Sequence, residues 1–455
     1  MEIINATDGY KLGHHRMYPE GTQMVYSNWT PRSNRYFPEA TEGSVVFGIQ
    51  YFVKKYLIEE FNKWFALPKE EAIKQFAYRV GNFVDLNQVG TKHIEELYDL
   101  GYLPIEIKAL PEGSICPIRV PMMTIKNTLP DFFWLTNYLE TLISCTLWLP
   151  CTSATSARLY KKRLMEHARK TGFPEEVNLG FSCHDFSMRG MAGLDAAIIS
   201  GMAHMTSFCG SETIPAIEAV EHYYNANVTE ELVAATVPAS EHSVMCAGGE
   251  DGEIETYRRL INDLYPTGII SIVSDTWDFW QVVEKFLPKL KADIMKRVGR
   301  VVIRPDSGDP VDIICGLRTN PHYHTAMKEG KYYCDFNPFM DDDENHYVEV
   351  SEGQYYGAYY MLGKIFGWNT TVNDYRYPST KVGLLYGDSI TLECDIYARL
   401  ENAHMAACNL VLGIGSYTYQ FKSRDSLGFA VKATACIING KLIEIYKHPK
   451  TDDGT

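Results

Sequence analysis

The sequence lacks several things that would have named a chemistry at once. Its eleven cysteines form no C-x-x-C pair, there is no Walker motif, and no complete G-x-G-x-x-G occurs because position 418 is Thr. Scattered cysteines in odd number exclude a disulfide framework or a zinc ribbon and fit reduced, buried thiols in a cytoplasm. The start, MEIINATDGYKLGHH, has no apolar core of a secretory signal. The most apolar long stretch, residues 131–150, is interrupted by Asp131, Asn137 and Glu140, so it reads as a buried core helix and not a membrane span. Positive charge is also short: 43 Lys and Arg against 57 Asp and Glu leave a net charge of −14. That balance argues against a nucleic-acid partner, whose phosphates need a basic face, but leaves room for a small anion in a locally basic pocket. No internal repeat or low-complexity tract is present.

What the chain does contain is a well-cored composition, 45% hydrophobic and 22% charged over 455 residues. That length suits two domains, or one large barrel with additions. The first third mixes helix and sheet: residues 45–65 place Phe47, Tyr51, Phe52, Tyr56 and Phe61 near helical spacing, and 103–128 alternates in short pieces punctuated by Pro104, Pro111, Pro117 and Pro121, as edge strands do. Thr152 is placed to cap a basic helix running through Thr171, and the acidic 340–354 reads as a surface loop. Later, apolar runs end in Asp, Gly or Ser and enter a helix: GIISIVSD, VVIRPDSGD, KVGLLYGDS and AACNLVLGIGS. This is the pattern of a parallel sheet covered on its faces. Local periodicity leaves a (β/α) barrel and a doubly wound sheet equally open; in a barrel, chemistry sits at those strand ends.

The strand ends hold the candidate chemistry. Gly413-Ile414-Gly415-Ser416 is either a tight turn or a place where backbone N–H groups meet phosphate. Arg304 and Asp306, two apart, point the same way from a strand end, either as a structural ion pair or as an anion holder beside a carboxylate for sugar hydroxyls or Mg²⁺. Gly387-Asp388 repeats the theme. In HDFSMRG, Phe186 offers a ring to stack on and Arg189 a cation, unless the pair is core packing plus a surface Arg. Ser240-Glu241-His242-Ser243 resembles a helix N-cap with a histidine in the first turn, able to shuttle protons or accept phosphate, with Asp275 as its orienter. His322 and His324 follow no strand and have no carboxylate at ligand spacing, so they are set aside. Aspartates, arginines and a glycine turn with no nucleophile point to transfer of a phosphorylated sugar through an oxocarbenium-like species.

Taken in order, TDGYKLGHHRMYPEGTQMVYS, LPIEIKALPEG, HDFSMRG, VPASEHS, SIVSD, VIRPDSGDP, GDS and LGIGS…SRD resemble the motifs of the nicotinamide phosphoribosyltransferase family. The resemblance implies a type II phosphoribosyltransferase: a (β/α) barrel-like domain over 151–429 and a second, discontinuous α+β domain with an antiparallel, β-sandwich-like sheet over 1–150 plus 430–455. It implies a homodimer sharing its active sites, substrates nicotinamide and phosphoribosyl pyrophosphate, Mg²⁺ carried by the pyrophosphate and not by a side-chain metal motif, and ATP as a facultative co-substrate. No nucleic acid and no membrane enter.

By position, the resemblance implies that Phe186 and the partner's equivalent of Tyr10 sandwich the pyridine ring, with Glu212 at its carboxamide. Arg304 and Asp306 would flank base and ribose, Gly387 and Asp388 the ribose, and Gly415 and Ser416 the 5′-phosphate. Arg189, Arg32, Arg424, Lys432 and Lys447 would meet phosphate and pyrophosphate, and His242 would be the phosphorylated histidine. Three departures stand out: Glu212 replaces an Asp, Gly415-Ser416-Tyr417 replaces three glycines, and KHPKTDDGT ends where a basic tail is expected. Nicotinate transfer and a non-catalytic relative of the same fold are the competing expectations. A carboxylate at 212 should repel nicotinate and accept from an amide.

Overall fold

The computed structural model describes residues 2–337, 346–387 and 389–447. Six short strands built from the apolar runs form one parallel sheet, in the order Gly210–Ser211, Cys183–Asp185, Leu410–Ile414, Val382–Tyr386, Val298–Arg304 and Thr267–Val273. Val382–Tyr386 is buried at every residue, which explains its unbroken apolar sequence: one face packs on a helix, the other turns into the curl of the sheet, and neither is wet.

The sheet curls, and residues 235–239 span the gap between its edges. Ala235 bridges to Gly210 and Ala239 to Ser271, both in parallel sense, with Ala235 N–H donating to Cys209 O at 2.8 Å and Ser240 N–H to Ser271 O at 2.9 Å. The barrel-like expectation therefore holds, and the doubly wound alternative does not. All strands point the same way, so their C-terminal ends open on one mouth.

A five-stranded antiparallel sheet lies apart, ordered Lys441–Glu444, Ala430–Ile438, Thr22–Thr30, Met123–Asn127 and Ile105–Ala109. The chain's two ends thus share one sheet, with Thr22–Thr30 pairing from Thr22 against Ile438 to Thr30 against Ala430. Of the proline-punctuated segment, Ile105–Ala109 is an edge strand as expected, whereas Met123–Asn127 lies inside the sheet and is paired on both sides, its flanking prolines falling outside the ladder.

Three readings need correcting. Residues 131–150 and the helix after Thr152 are not two helices: Glu140–Thr171 is one helix of 32 residues with Pro150 inside it, so residue 150 marks no break. An interior proline costs about 3 kcal/mol. Here Leu149 through Ala157 are all buried, and that packing outweighs the lost N–H. Thr152 caps nothing; its hydroxyl donates back to Trp148 O at 3.0 Å and Leu149 O at 3.1 Å. The 340–354 loop contains the strand Tyr347–Val350 and the start of the helix Glu352–Tyr356, while its first six residues lie outside the described set. Tyr347–Val350 completes a small sheet with His324–Lys328 and Lys331–Asp335, packed over Leu317, Cys334 and Val350. All eleven cysteines are unpaired. Among the described residues no helix is long and apolar enough to cross a membrane.

Candidate active site

At the mouth of the barrel, each strand delivers its last polar residue. A cavity of about 210 Å³ enters the barrel there, lined by His184, Phe186, Glu212, Thr236 and Arg304 among others. The volume and the Phe186 wall suit one planar heteroaromatic ring. Phe186 also lines the outer cleft with Arg189, Leu194 and Glu212, so its ring divides the inner cavity from that cleft.

The turn carrying Phe186 is fixed from below. Asp185 is fully buried and accepts from Ser187 N–H at 2.9 Å, Thr213 Oγ1 at 2.8 Å and Ser211 Oγ at 3.3 Å, while Phe186 N–H donates to Ile414 O at 2.9 Å. Glu212 leaves its strand by donating its N–H to Asp185 O at 3.0 Å. Its carboxylate Oε1 accepts from His184 Nε2 at 2.8 Å and from the Thr236 hydroxyl. Burial alone would raise its pKa; the hydrogen bonds from His184 and Thr236, with the charges of His184 and Arg304, outweigh that and hold it below the usual carboxylate value.

Arg304 ends its strand with Nη2 donating to Ser240 O at 2.6 Å, and its Nε is buried without a partner. Burial lowers its pKa, although Asp306, Asp275 and Glu212 oppose the shift. Arg304 lines the same cavity as the ionised Glu212 carboxylate, so the pair can grip opposite ends of one amide.

Asp275 Oδ2 accepts from Asp306 N–H at 3.0 Å and Ser307 Oγ at 2.6 Å; its Oδ1 is buried and accepts no hydrogen bond. His242 Nε2 stands 3.9 Å from Asp275 Oδ1 and 4.0 Å from Asp306 Oδ2, and its Nδ1 lies 3.2 Å from Thr276 Oγ1. The helix holding it, His242–Ala247, has Glu241 at its N-cap position without a side-chain capping bond, and the Ser240 hydroxyl accepts from Val273 N–H at 3.0 Å.

Gly387 hydrogen-bonds Pro305 O at 3.1 Å and packs against Asp306 so closely that a Cβ would lie 2.0 Å from Oδ1. Its neighbour Asp388 lies outside the described residues. Gly415 caps the short helix Ser416–Gln420, and Ser416 abuts Gly190 beside exposed Arg189.

The structure thus gathers His242, Asp275, Arg304, Asp306, Phe186, Glu212, Gly387, Gly415, Ser416 and Arg189 around one mouth. Tyr10, Arg32, Arg424, Lys432 and Lys447 do not line its cavity. Tyr10 is 66% exposed on the Gly9–Gly13 turn. Arg32 donates to Gly428 O at 2.9 Å, Arg424 pairs with Asp425 at 3.4 Å, and Lys432 and Lys447 are exposed. Three groups escaped the sequence reading. Thr236 precedes VPASEHS with nothing to single it out, His184 looked like the start of a motif, and Tyr386 holds the 304–308 turn by donating to Ser307 O at 2.9 Å and Gly308 O at 2.7 Å.

Similarity to known proteins agrees with this geometry. The sequence profile of the nicotinate phosphoribosyltransferase family matches residues 181–455, and that of the nicotinamide phosphoribosyltransferase N-terminal domain matches residues 2–107. A nicotinamide phosphoribosyltransferase of Acinetobacter baylyi is 46% identical over 464 residues, covering 99% of this chain and 86% of the relative. One from Mycoplasma pneumoniae is 32% identical over 471 residues, with 99% and 93% covered. The fold is shared with human nicotinic acid phosphoribosyltransferase (TM-score 0.54, 16% identity, 94% and 74% covered) and with nicotinate-nucleotide pyrophosphorylase of Pyrococcus furiosus (0.53, 13%, 98% and 78%). The chain belongs to the nicotinate phosphoribosyltransferase family and carries the N-terminal domain found in its nicotinamide phosphoribosyltransferase members.

Proposed function

We propose that the protein condenses nicotinamide with 5-phosphoribosyl 1-pyrophosphate to give nicotinamide mononucleotide and pyrophosphate, a step of NAD salvage. The observation behind the choice of base is the ionised Glu212 and Arg304 lining one ring-sized cavity. Glu212 accepts from the carboxamide N–H, Arg304 donates to its oxygen, and Phe186 covers one ring face. The pyridine nitrogen then attacks C1′: the N–C1′ bond forms as the C1′–O bond to pyrophosphate breaks, and positive charge builds on the ribose. No proton leaves that nitrogen, so neither general base nor covalent nucleophile is needed. Positioning and charge stabilisation suffice, and carboxylates and guanidinium groups supply both.

Mg²⁺ fits this site as a passenger on phosphate. Asp275 has an idle buried oxygen beside Asp306, yet among the described residues no three His, Cys, Asp or Glu side chains form a cage. Asp275 and Asp306 are the carboxylates that would help hold a pyrophosphate-borne ion, which would supply charge neutralisation for the leaving group. His242, half exposed beside both carboxylates, is the residue ATP would phosphorylate. A dimer would bring Tyr10 to the partner's cleft; its exposure and that of Leu194 and Ile214 support such a contact. Eleven unpaired thiols support a cytoplasmic location.

Purified protein with nicotinamide, phosphoribosyl pyrophosphate and Mg²⁺ should form the mononucleotide, with little product from nicotinate. Comparable kcat/KM for the two bases would overturn the choice of base, and no product with either, with or without ATP, would leave a binding relative. His242→Ala should keep basal transfer and lose any ATP stimulation; an unchanged ATP response removes His242 from that role.

A further inference from the structure

We propose that His184, together with Thr236, is a positioning residue that clamps the Glu212 carboxylate, and that this clamp sets the pocket's preference for a carboxamide over a carboxylate. The inference deepens the reading of this cavity as the nicotinamide site and rests on it.

His184 is the middle residue of the three-residue strand Cys183–Asp185, in register with Gly210 on one side and Gly413 on the other. Both neighbours are glycine, and the one at 210 has a visible purpose. A Cβ there would lie 2.7 Å from His184 Nδ1. Without it the imidazole lies across the strand, with its ring centroid 4.7 Å from that of Phe186 and Nε2 2.8 Å from Glu212 Oε1. The Thr236 hydroxyl reaches the same oxygen from the segment that crosses the sheet gap, next to Ala235 where it bridges Gly210. Neither bond uses Oε2. Two donors on one oxygen fix the plane of the carboxylate and leave the other oxygen to accept from a ligand.

The charge of Glu212 is set by the groups that face it. His184 stands on its own side, with buried His204 of the helix Leu194–Met205 behind it. Arg304 stands across the cavity, itself surrounded by Asp275, Asp306 and Arg189. The negative charges around Arg304 dilute its pull on Glu212, so the short-range donors decide whether the carboxylate keeps its charge beside the Phe186 ring. An ionised Glu212 can only accept, which suits an amide and repels nicotinate. A Glu212 that takes up a proton becomes a donor, and nicotinate then has a partner.

The test compares wild type, His184→Leu, His184→Gln and Thr236→Val in kcat/KM for nicotinamide and for nicotinate between pH 5 and 8.5. His184→Leu should raise KM for nicotinamide about tenfold or more with a smaller change in kcat. It should also move the acid limb of the pH profile upward by about one unit and narrow the amide-to-acid ratio about tenfold at pH 6. His184→Gln, whose side-chain amide can still donate to Oε1, should recover most of the limb and the ratio, and Thr236→Val should shift both in the direction of His184→Leu. A wild-type limb and ratio in His184→Leu, or equal damage from Leu and Gln, would overturn the clamp and leave a packing role.

A second readout needs no turnover. The difference in melting temperature between each protein and its Glu212→Gln counterpart reports the titration of Glu212 in the fold. That difference should titrate at higher pH in the His184→Leu background than in wild type, and coincident curves overturn the clamp. If wild type makes no mononucleotide, the ligand reading fails while this second comparison still decides the clamp.

Discussion

Gly387→Ala isolates the placement of Asp306 from the stability of the fold. The added Cβ would sit 2.0 Å from Asp306 Oδ1, and Cβ contacts below 3.0 Å essentially do not occur, so the carboxylate must retreat by about 1 Å. The obstructing atom is the tip of a side chain with two rotatable bonds, and backbone φ at 387 is not left-handed, so the chain accommodates alanine without strain. Removing glycine's freedom from the unfolded chain favours the fold by about 0.4–1 kcal/mol. Displacing a group beside the reacting ribose by about 1 Å costs on the order of 100-fold in rate, about 2.7 kcal/mol of barrier. Melting temperature and kcat/KM should therefore part company: Tm unchanged or slightly raised, kcat/KM for mononucleotide formation down about 100-fold. A well-folded Gly387→Ala within about threefold of wild-type activity would refute the placement of Asp306 at the reacting centre.

Gly299→Ala should do the reverse. Here φ is +129° and the new Cβ would lie 1.9 Å from Gly268 O, a backbone atom in the paired strand, so we expect a loss of about 3 kcal/mol or more, read as a lowered denaturation midpoint. Asp185→Ala should destabilise by about 2–4 kcal/mol, because Ser187 N–H and the hydroxyls of Ser211 and Thr213 lose a common buried acceptor; an unchanged Tm would show that the Phe186 turn is held by other means. Burial, reinforced by Asp278 and Glu250, raises Glu253 to about 7 from an ordinary 4.5. The fold keeps this proton where the unfolded chain has released it, so its contribution is fully present below about 4.5 and is lost as pH rises through about 7. Glu253→Gln should accordingly gain Tm over wild type at pH 8 and not at pH 5, and a gap that stays constant with pH would rule this out.

The parallel strands were legible because burial keeps them mostly apolar up to the strand ends, where Asp275, Asp306, Gly387 and Gly415 then stand out. Their convergence could be read because a barrel places all such ends on one rim. Residues 235–239 were not legible as part of the barrel wall: ATVPA has too few apolar residues and only isolated bridges, so neither period nor length marks it. Pro150 misled for the opposite reason, since its local cost is a strong signal and the packing that overrides it is tertiary. The His184–Glu212 bond joins residues 28 apart through a ladder of two residue pairs, and no spacing rule connects them.

The shared sheet at the chain's two ends sets a timetable for synthesis. Thr22–Thr30 occupies the middle of that sheet, yet one of its two partners, Ala430–Ile438, leaves the ribosome some 400 residues later, the separation spanned by the Asn28–Thr434 hydrogen bond. At about 5–20 residues per second, that strand waits on the order of 20–80 s with one edge unpaired. Trp29 and Val25, fully buried in the finished protein, are among the residues that wait with it. During that interval a nascent chain depends on shielding from its neighbours on the polysome.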